Sequence, residues 1–156
     1  MVELAKEVKD FLLKQGFVIV STIDKNGFPH ASCKGIVDIA DDGTVFLLDL
    51  YHGATYKNVM SNPRLSITAV DEHKFKGYTL KGVARIVNDA KLKEGLIQSW
   101  ESRIAARVTQ RILRNISGQR GHKRHPEALL PAPKYLIAVR PGQVIDLTPQ
   151  HLAKEV

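Results

Sequence analysis

The chain has 156 residues, a net charge of +7 and one cysteine, Cys33, and this length suits one domain over residues 1–156 whose core needs no disulfide. A lone cysteine excludes an internal disulfide and a cysteine-based zinc site, and its place in an apparent strand predicts a small buried residue. Neither an apolar run of about 18 residues nor a signal-peptide apolar block is present, so we expect a soluble cytoplasmic protein without a membrane span. The histidines and carboxylates lack the spacing of a metal site, so we expect no metal.

The first half of the chain is predicted to form two helices and five short strands. Apolar residues at helical spacing predict an amphipathic helix over Glu3–Gln15. A short helix is predicted over Gly53–Met60, because Pro63 forces a break just after it. Runs of β-branched residues bounded by turn sequences predict five strands, over Phe17–Ile23, Pro29–Ile39, Thr44–Asp49, Arg64–Val70 and Phe75–Val87.

The second half predicts one long helix and one strand. Apolar residues at every fourth position favour a helix from Ala90 to Ile116. A basic, proline-punctuated loop follows, and Lys134–Asp146 is predicted as a sixth strand that Pro141-Gly142 interrupts. Short strands with tight turns are typical of an antiparallel barrel. We therefore expect a mainly β core over residues 17–87 and 134–147, with a helical and basic insertion over 90–133.

The stretch from Val45 to Arg64 carries the clearest indication of a binding site. A strand ends there in a polar turn, and a helix starts near Gly53. The free N–H groups and the positive dipole end of a first helical turn suit a phosphate. Gly53 permits close approach of the backbone, Thr55 adds a hydroxyl and Lys57 adds a charge. An ordinary capped helix between two strands fits the same residues, so both interpretations stay open on the pattern alone.

This stretch resembles the FMN split-barrel family, to which the pyridoxamine 5'-phosphate oxidases belong. The resemblance rests on four motifs in order over roughly residues 17–87: the hairpin at Asp24–His30, the strand at Pro29–Lys34, the Gly-x-Thr-Tyr-Lys-Asn segment at 53–58 followed by Asn-Pro-Arg, and the strand at Tyr78–Ala84. It implies a six-stranded antiparallel split β-barrel of Greek-key topology. It also implies FMN at the interface of a homodimer.

The resemblance also implies where FMN contacts the chain. Its phosphate would sit among Lys34, Thr55 and Lys57, and its ring would lie along residues 32–33 and 48–49. The candidate cofactor-binding residues are Ser32, Cys33, Lys34, Leu48, Asp49, His52, Gly53, Thr55, Lys57 and Asn58. Positive charge on Lys34 is expected to favour the anionic reduced ring; a solvated charge at the strand edge is the alternative. His52 is either a phosphate donor, an acid or base near the flavin, or an ordinary surface histidine.

Departures from the true oxidases leave the substrate open. Their Arg-Lys pair is replaced here by Ala54-Thr55, their glutamine by Gly77, and His151 lacks the arginine expected two residues before it. Oxidation of vitamin B6 is therefore not implied. We expect an FMN oxidoreductase with a nicotinamide or protein electron donor. The alternatives are a non-catalytic electron-transfer module and a deazaflavin- or haem-binding relative.

The segment from Arg103 to His125 holds seven lysines or arginines and no acid. Its arginines at helical spacing form either a solvated face or a rim that recruits an anionic donor or partner. Trp100 fits core or dimer packing, or a cover over the flavin. The sequence pI of about 9.6 also permits nucleic-acid binding, which we rank last because interleaved aromatic residues and a recognised motif are missing.

Overall fold

The computed structural model of the protein describes residues 2–49, 52–88, 98, 102, 105–106 and 135–151. Within them lie helices α1 (Lys6–Lys14) and α2 (Ala54–Ser61), a 3-10 turn at Glu72–Lys74, and strands β1 (Val18–Ile23), β2 (Pro29–Ile39), β3 (Val45–Leu48), β4 (Arg64–Asp71), β5 (Lys76–Asn88) and β6 (Tyr135–Asp146). The six strands close a barrel in the order β1-β2-β3-β6-β5-β4, with antiparallel neighbours throughout. The predicted barrel is confirmed, and α2 lies in the connection that carries the chain from β3 across to β4.

Alternation along the strands separates the core from the outer face of the barrel. On β1, Val18 and Val20 are buried whereas Ile19 is exposed. Strand β4 repeats the pattern with Leu65 and Ile67 inside. A period of two residues is what a sheet with one buried face requires. The core is therefore built mainly from alternate residues of the strands.

Both helices add side chains to this core. Val8 and Leu12 of α1 are buried in it, and Phe11 packs edge-on against Tyr78 with 5.2 Å between the ring centres. Helix α2 contacts β1, β2 and β5 and contributes Val59. Its position against β1 and β2 is what brings its first turn close to the polar residues of β2.

A bulge interrupts the pairing of β5 with β6. The register shifts between Lys81 and Gly82, so that Lys81 pairs with Gln143 and Gly82 with Pro141. A Cβ atom on Gly82 would lie 2.4 Å from the carbonyl oxygen of Arg140. Glycine is therefore required there, and the predicted interruption of the last strand is a bulge inside one continuous strand.

The long helix predicted over Ala90–Ile116 falls almost wholly outside the described residues. Its four described positions, Gln98, Ser102, Ala105 and Ala106, are helical. The basic loop, Trp100 and the arginine face lie outside the described residues. No helix in the part of the chain that the structure describes is both long and apolar enough to cross a membrane.

Candidate functional site

Strand β2 divides the predicted site residues between two faces. Ser32 pairs with buried Val20, whereas Cys33 pairs with exposed Ile19. Cys33 is exposed, so the prediction that it is buried is wrong. The physical reason is the two-residue period: placing Ser32 and Lys34 on the inner side forces Cys33 outward.

The hydroxyl groups of Ser32 and Thr55 join β2 to the first turn of α2. Their oxygens lie 2.8 Å apart, and either group can be the donor. Thr55 is buried and Ser32 is half-buried. Because one hydroxyl donates within the pair, the proton of the other remains free for an outside acceptor. The pair can therefore offer one hydrogen bond to an anion at this turn.

The first turn of α2 lacks the usual side-chain cap. Gly53 is the N-cap residue, no side chain caps the helix, and the first turn holds no acidic residue. The carbonyl oxygen of Gly53 accepts the first helical bond, from the N–H of Lys57. A Cβ atom on Gly53 would meet no atom of the described chain within 4 Å. The N–H groups of this turn have no partner within the helix, the described residues leave space beside Gly53, and exposed Lys57 adds positive charge.

Lys34 and Asp49 form a buried ion pair. Lys34 Nζ lies 2.7 Å from Asp49 Oδ1, and the two side chains are 15% and 2% exposed. The alternative of a solvated strand-edge charge for Lys34 is therefore wrong. Asp49 Oδ2 is buried and has no hydrogen-bond partner among the described residues. Leu48, the residue before Asp49, is half-buried and pairs with Gly35 of β2.

Three aromatic rings surround the turn that leads into α2. The N–H of His52 donates to the hydroxyl oxygen of Tyr135 at 3.1 Å. The His52 ring lies 4.3 Å from that of Tyr135 and 4.7 Å from that of Tyr56. Burial, and then the carboxylate of Asp49, raise the pKa of Tyr135, which keeps this hydroxyl protonated. His52 itself is exposed and has a left-handed backbone with φ of 47°.

The two tyrosines of this cluster, Tyr56 and Tyr135, are not among the predicted site residues. Tyr56 is the tyrosine of the Gly-x-Thr-Tyr-Lys-Asn segment, so the motif could have identified it as a site residue. Tyr135 is 83 residues from His52 along the chain, and only the pairing of β6 with β3 brings it to the site. A strained, non-glycine backbone such as that of His52 is frequent at functional sites.

Asn58 anchors α2 to the barrel. Its Nδ2 donates to the hydroxyl oxygen of Thr22 at 3.0 Å, and the side chain is buried. This bond fixes α2 on β1, one turn beyond Thr55. The structure thus brings Ser32 to Thr55 and Lys34 to Asp49. Asn58 bonds to Thr22 of β1 and not to either pair.

A separate open cleft lies on the outer face of the barrel. It has a volume of about 480 Å³ and is lined from β1, β2, β4, β5 and β6, including Ser21, Ser66, Lys81 and Gln143. None of the predicted site residues lines it. The hydrogen-bond donors at the start of α2 therefore lie outside this cleft, on a different surface.

Comparisons with known proteins agree with this architecture. The family model described as pyridoxamine 5'-phosphate oxidase matches residues 4–145. Among solved structures, HupZ of Group A Streptococcus is 20% identical with a TM-score of 0.64, covering 93% of this chain and 94% of that one. General stress protein 26 of Bacillus anthracis is 15% identical with a TM-score of 0.57, covering 93% and 94%. An F420 reductase is 14% identical with a TM-score of 0.54, covering 91% and 98%.

These identities show a shared fold and nothing finer. A comparison with curated protein sequences found no significant match.

Proposed function

Because the chain belongs to the pyridoxamine 5'-phosphate oxidase family, we propose that it is an FMN-binding oxidoreductase that works as a homodimer. The observation that carries the proposal is the uncapped first turn of α2 beside the Ser32–Thr55 hydroxyl pair. The whole arrangement presents donors and positive charge without an acidic residue in the turn.

The phosphate of FMN would be held at the start of α2. The N–H groups of the first turn have no partner within the helix and carry the positive end of its dipole. One hydroxyl proton of the Ser32–Thr55 pair and the ammonium group of Lys57 complete the donor set. Such a combination of N–H groups, a hydroxyl and a lysine is the usual chemistry of a phosphate site.

The ring of FMN would lie beside Lys34 and Asp49. Lys34 has three N–H donors and uses one toward Asp49. Asp49 Oδ2 is buried and has no hydrogen-bond partner among the described residues, so a polar group of FMN could donate to it. FMN, when bound, supplies the redox chemistry, so the task of these residues is to hold and orient it.

The outer face of the barrel supports the homodimer. Ile19, Ile23 and Val83 are 40%, 37% and 55% exposed on strands that border the open cleft. Exposed apolar side chains grouped in this way are typical of a surface that a partner covers. A second copy of the chain would bury these side chains.

The absorbance spectrum of the purified protein tests the proposal. We expect a flavin spectrum, FMN identified by mass after denaturation, and dimers in solution. A folded, colourless protein that takes up no FMN from an excess would overturn the proposal. Oxidation of NADH or NADPH with a dye acceptor then separates an enzyme from an electron-transfer module.

A deazaflavin cofactor is the second candidate. The structural likeness to an F420 reductase favours it, and the uncapped turn of α2 suits any cofactor that carries a phosphate. The same spectrum and mass identification distinguish FMN, a deazaflavin and haem.

A further inference from the structure

The sheet register places Asp49 between two polar side chains. Gly35 of β2 and Leu136 of β6 both pair with Leu48 of β3. One residue further along, the same antiparallel registers set Asp49 beside Lys34 on one side and Tyr135 on the other. The three residues form one row across the barrel wall, which we call the Lys34–Asp49–Tyr135 row.

Contacts within this row converge on the Asp49 carboxylate. Lys34 Nζ lies 2.7 Å from Oδ1, and the Asp49 carboxylate is, after burial, a cause of the raised pKa of Tyr135. The Tyr135 hydroxyl accepts the N–H of His52 at 3.1 Å. Asp49 is therefore paired with the lysine, and Tyr135, its neighbour in the row, accepts a hydrogen bond from the turn ahead of α2.

Burial strengthens the electrostatic effect of Lys34 and Asp49 on their surroundings. Asp49 is 2% exposed and Lys34 is 15% exposed, so water screens neither charge well. Opposite charges 2.7 Å apart cancel at the distance of a neighbouring ligand. The pair therefore presents hydrogen-bond donors with almost no net charge.

We propose that Asp49 is a positioning residue that neutralises Lys34, so that the Lys34–Asp49 pair, and not the lysine charge alone, sets the electrostatic environment of the bound cofactor. This inference rests on the proposed binding of FMN and concerns the reduction potential of that site. It also assigns the grip on the phosphate to Thr55, Lys57 and the first turn of α2, because Lys34 is already engaged.

Midpoint potentials of four FMN-loaded proteins test the inference: the unmodified chain, Lys34→Met, Asp49→Asn and the double variant. Asp49→Asn leaves a positive charge and is expected to shift the potential upward. Lys34→Met leaves a negative charge and is expected to shift it downward. The double variant carries neither charge, so its potential is expected to stay close to that of the unmodified protein.

The double variant distinguishes a Lys34 that is neutralised by Asp49 from a Lys34 that acts as a free positive charge. If Lys34 acted as a free positive charge, the double variant would fall to the same potential as Lys34→Met, and this result would overturn the inference. Each single variant leaves a buried charge unpaired, which threatens folding. The double variant leaves none, so its comparison with the unmodified protein decides the question even if both single variants fail to fold.

An exposed pair of the same chemistry provides the control. Lys6 and Asp10 of α1 lie 2.6 Å apart, with side chains 88% and 47% exposed. Asp10→Asn alone changes the total charge by the same amount as Asp49→Asn, yet it is expected to leave the potential unchanged, since solvent screens these charges. A shift as large as that of Asp49→Asn would mean that the potential responds to total charge and not to the buried pair, and would count against the inference.

A measurement without flavin keeps this inference distinct from the proposed function. In the apoprotein, unfolding by urea is expected to show that the double variant is more stable than the sum of the two single losses predicts. If the losses in the free energy of unfolding were additive, Lys34 and Asp49 would not be coupled, and the inference would be contradicted. If the protein takes up no FMN at all, the proposed function fails, while this cycle still reports whether Asp49 and Lys34 are coupled.

Discussion

The Ser32 and Thr55 hydroxyl oxygens lie 2.8 Å apart and join strand β2 to the first turn of helix α2. The two residues are 23 positions apart in the chain. Their hydrogen bond joins the start of a helix and a strand into one surface, and one hydroxyl proton of the pair is left for an outside acceptor. The phosphate site that we propose depends on this junction.

Replacement of Thr55 by valine together with Ser32 by alanine is expected to weaken FMN binding. The two changes remove both hydroxyl groups of the pair, so neither can donate to the phosphate. Loss of one hydrogen bond to a charged group costs about 1.5–3 kcal/mol, which corresponds to a decrease in affinity of roughly 10- to 150-fold. Quenching of flavin fluorescence during titration measures the affinity. Ser61→Ala is the control, because the Ser61 hydroxyl donates to carbonyl oxygens in the last turn of the same helix; unchanged affinity in the double variant would contradict the phosphate site.

Replacement of Gly53 by aspartate is expected to move stability and binding in opposite directions. An aspartate at the N-cap satisfies free N–H groups and complements the helix dipole, a gain of about 0.3–1 kcal/mol in the free energy of unfolding. The same carboxylate repels a phosphate and occupies its donors, so FMN affinity falls by roughly tenfold or more. Urea unfolding of the apoprotein and flavin titration measure the two effects. A variant that binds FMN as well as the unmodified protein would show that the phosphate lies elsewhere.

Replacement of Gly82 by alanine is expected to destabilise the barrel. The added Cβ would lie 2.4 Å from the carbonyl oxygen of Arg140, so the backbone of β5 or β6 must shift. Overpacking of this kind costs about 1–3 kcal/mol. Gly142→Ala is the matched control across the bulge, because its Cβ would meet the carbonyl oxygen of Lys81 at an ordinary 3.9 Å. Equal unfolding midpoints for the two variants would contradict the tight approach at the bulge.

Stability is expected to fall in acid, partly through two aspartates in turns. The N–H groups of Thr44 and Thr148 donate to Asp42 and Asp146 at 2.9 and 2.8 Å. Hydrogen bonds from Thr44 and Thr148 hold the pKa values of these carboxyls below their ordinary value of 3.8. A pKa that is lower in the folded state means that stability is present above the ordinary value and is lost as pH falls through and below it.

The variant Asp42→Asn with Asp146→Asn tests this dependence. Urea unfolding at about pH 6 and about pH 3 is expected to show a smaller loss of stability in the variant than in the unmodified protein, because the two titrations are removed. Identical losses in both proteins would assign the acid sensitivity to other groups.

The local sequence pattern was sufficient to predict the described helices and strands of this fold. The alternation at Val18–Ile23 and the break imposed by Pro63 each act within a few residues, and the structure has β1 and the end of α2 at those places. The same holds for the bulge at Pro141-Gly142, where missing or constrained side chains act on the backbone directly. Such features depend on short-range sterics, which the order of residues already specifies.

The contacts of the site depend on strand register instead. Cys33 reads as a buried strand residue, yet it faces outward because the pairing of β1 with β2 gives the inner side to Ser32 and Lys34. Likewise, the position of Lys34 at the end of the Pro29–Lys34 motif does not predict which carboxylate it pairs with. Asp49 meets Lys34 only because β3 pairs with β2 at Gly35 and Leu48.

The sequence by itself determined where the described part of this chain forms strands, helices and turns, and which segment resembles a phosphate-binding turn. Tertiary structure alone decided that Lys34 is neutralised by Asp49 and that Tyr135 holds the turn at His52. The physical reason is range. Backbone preferences act between neighbours in the chain, whereas closing six strands into a barrel brings together residues whose separation in sequence carries no sign of their contact.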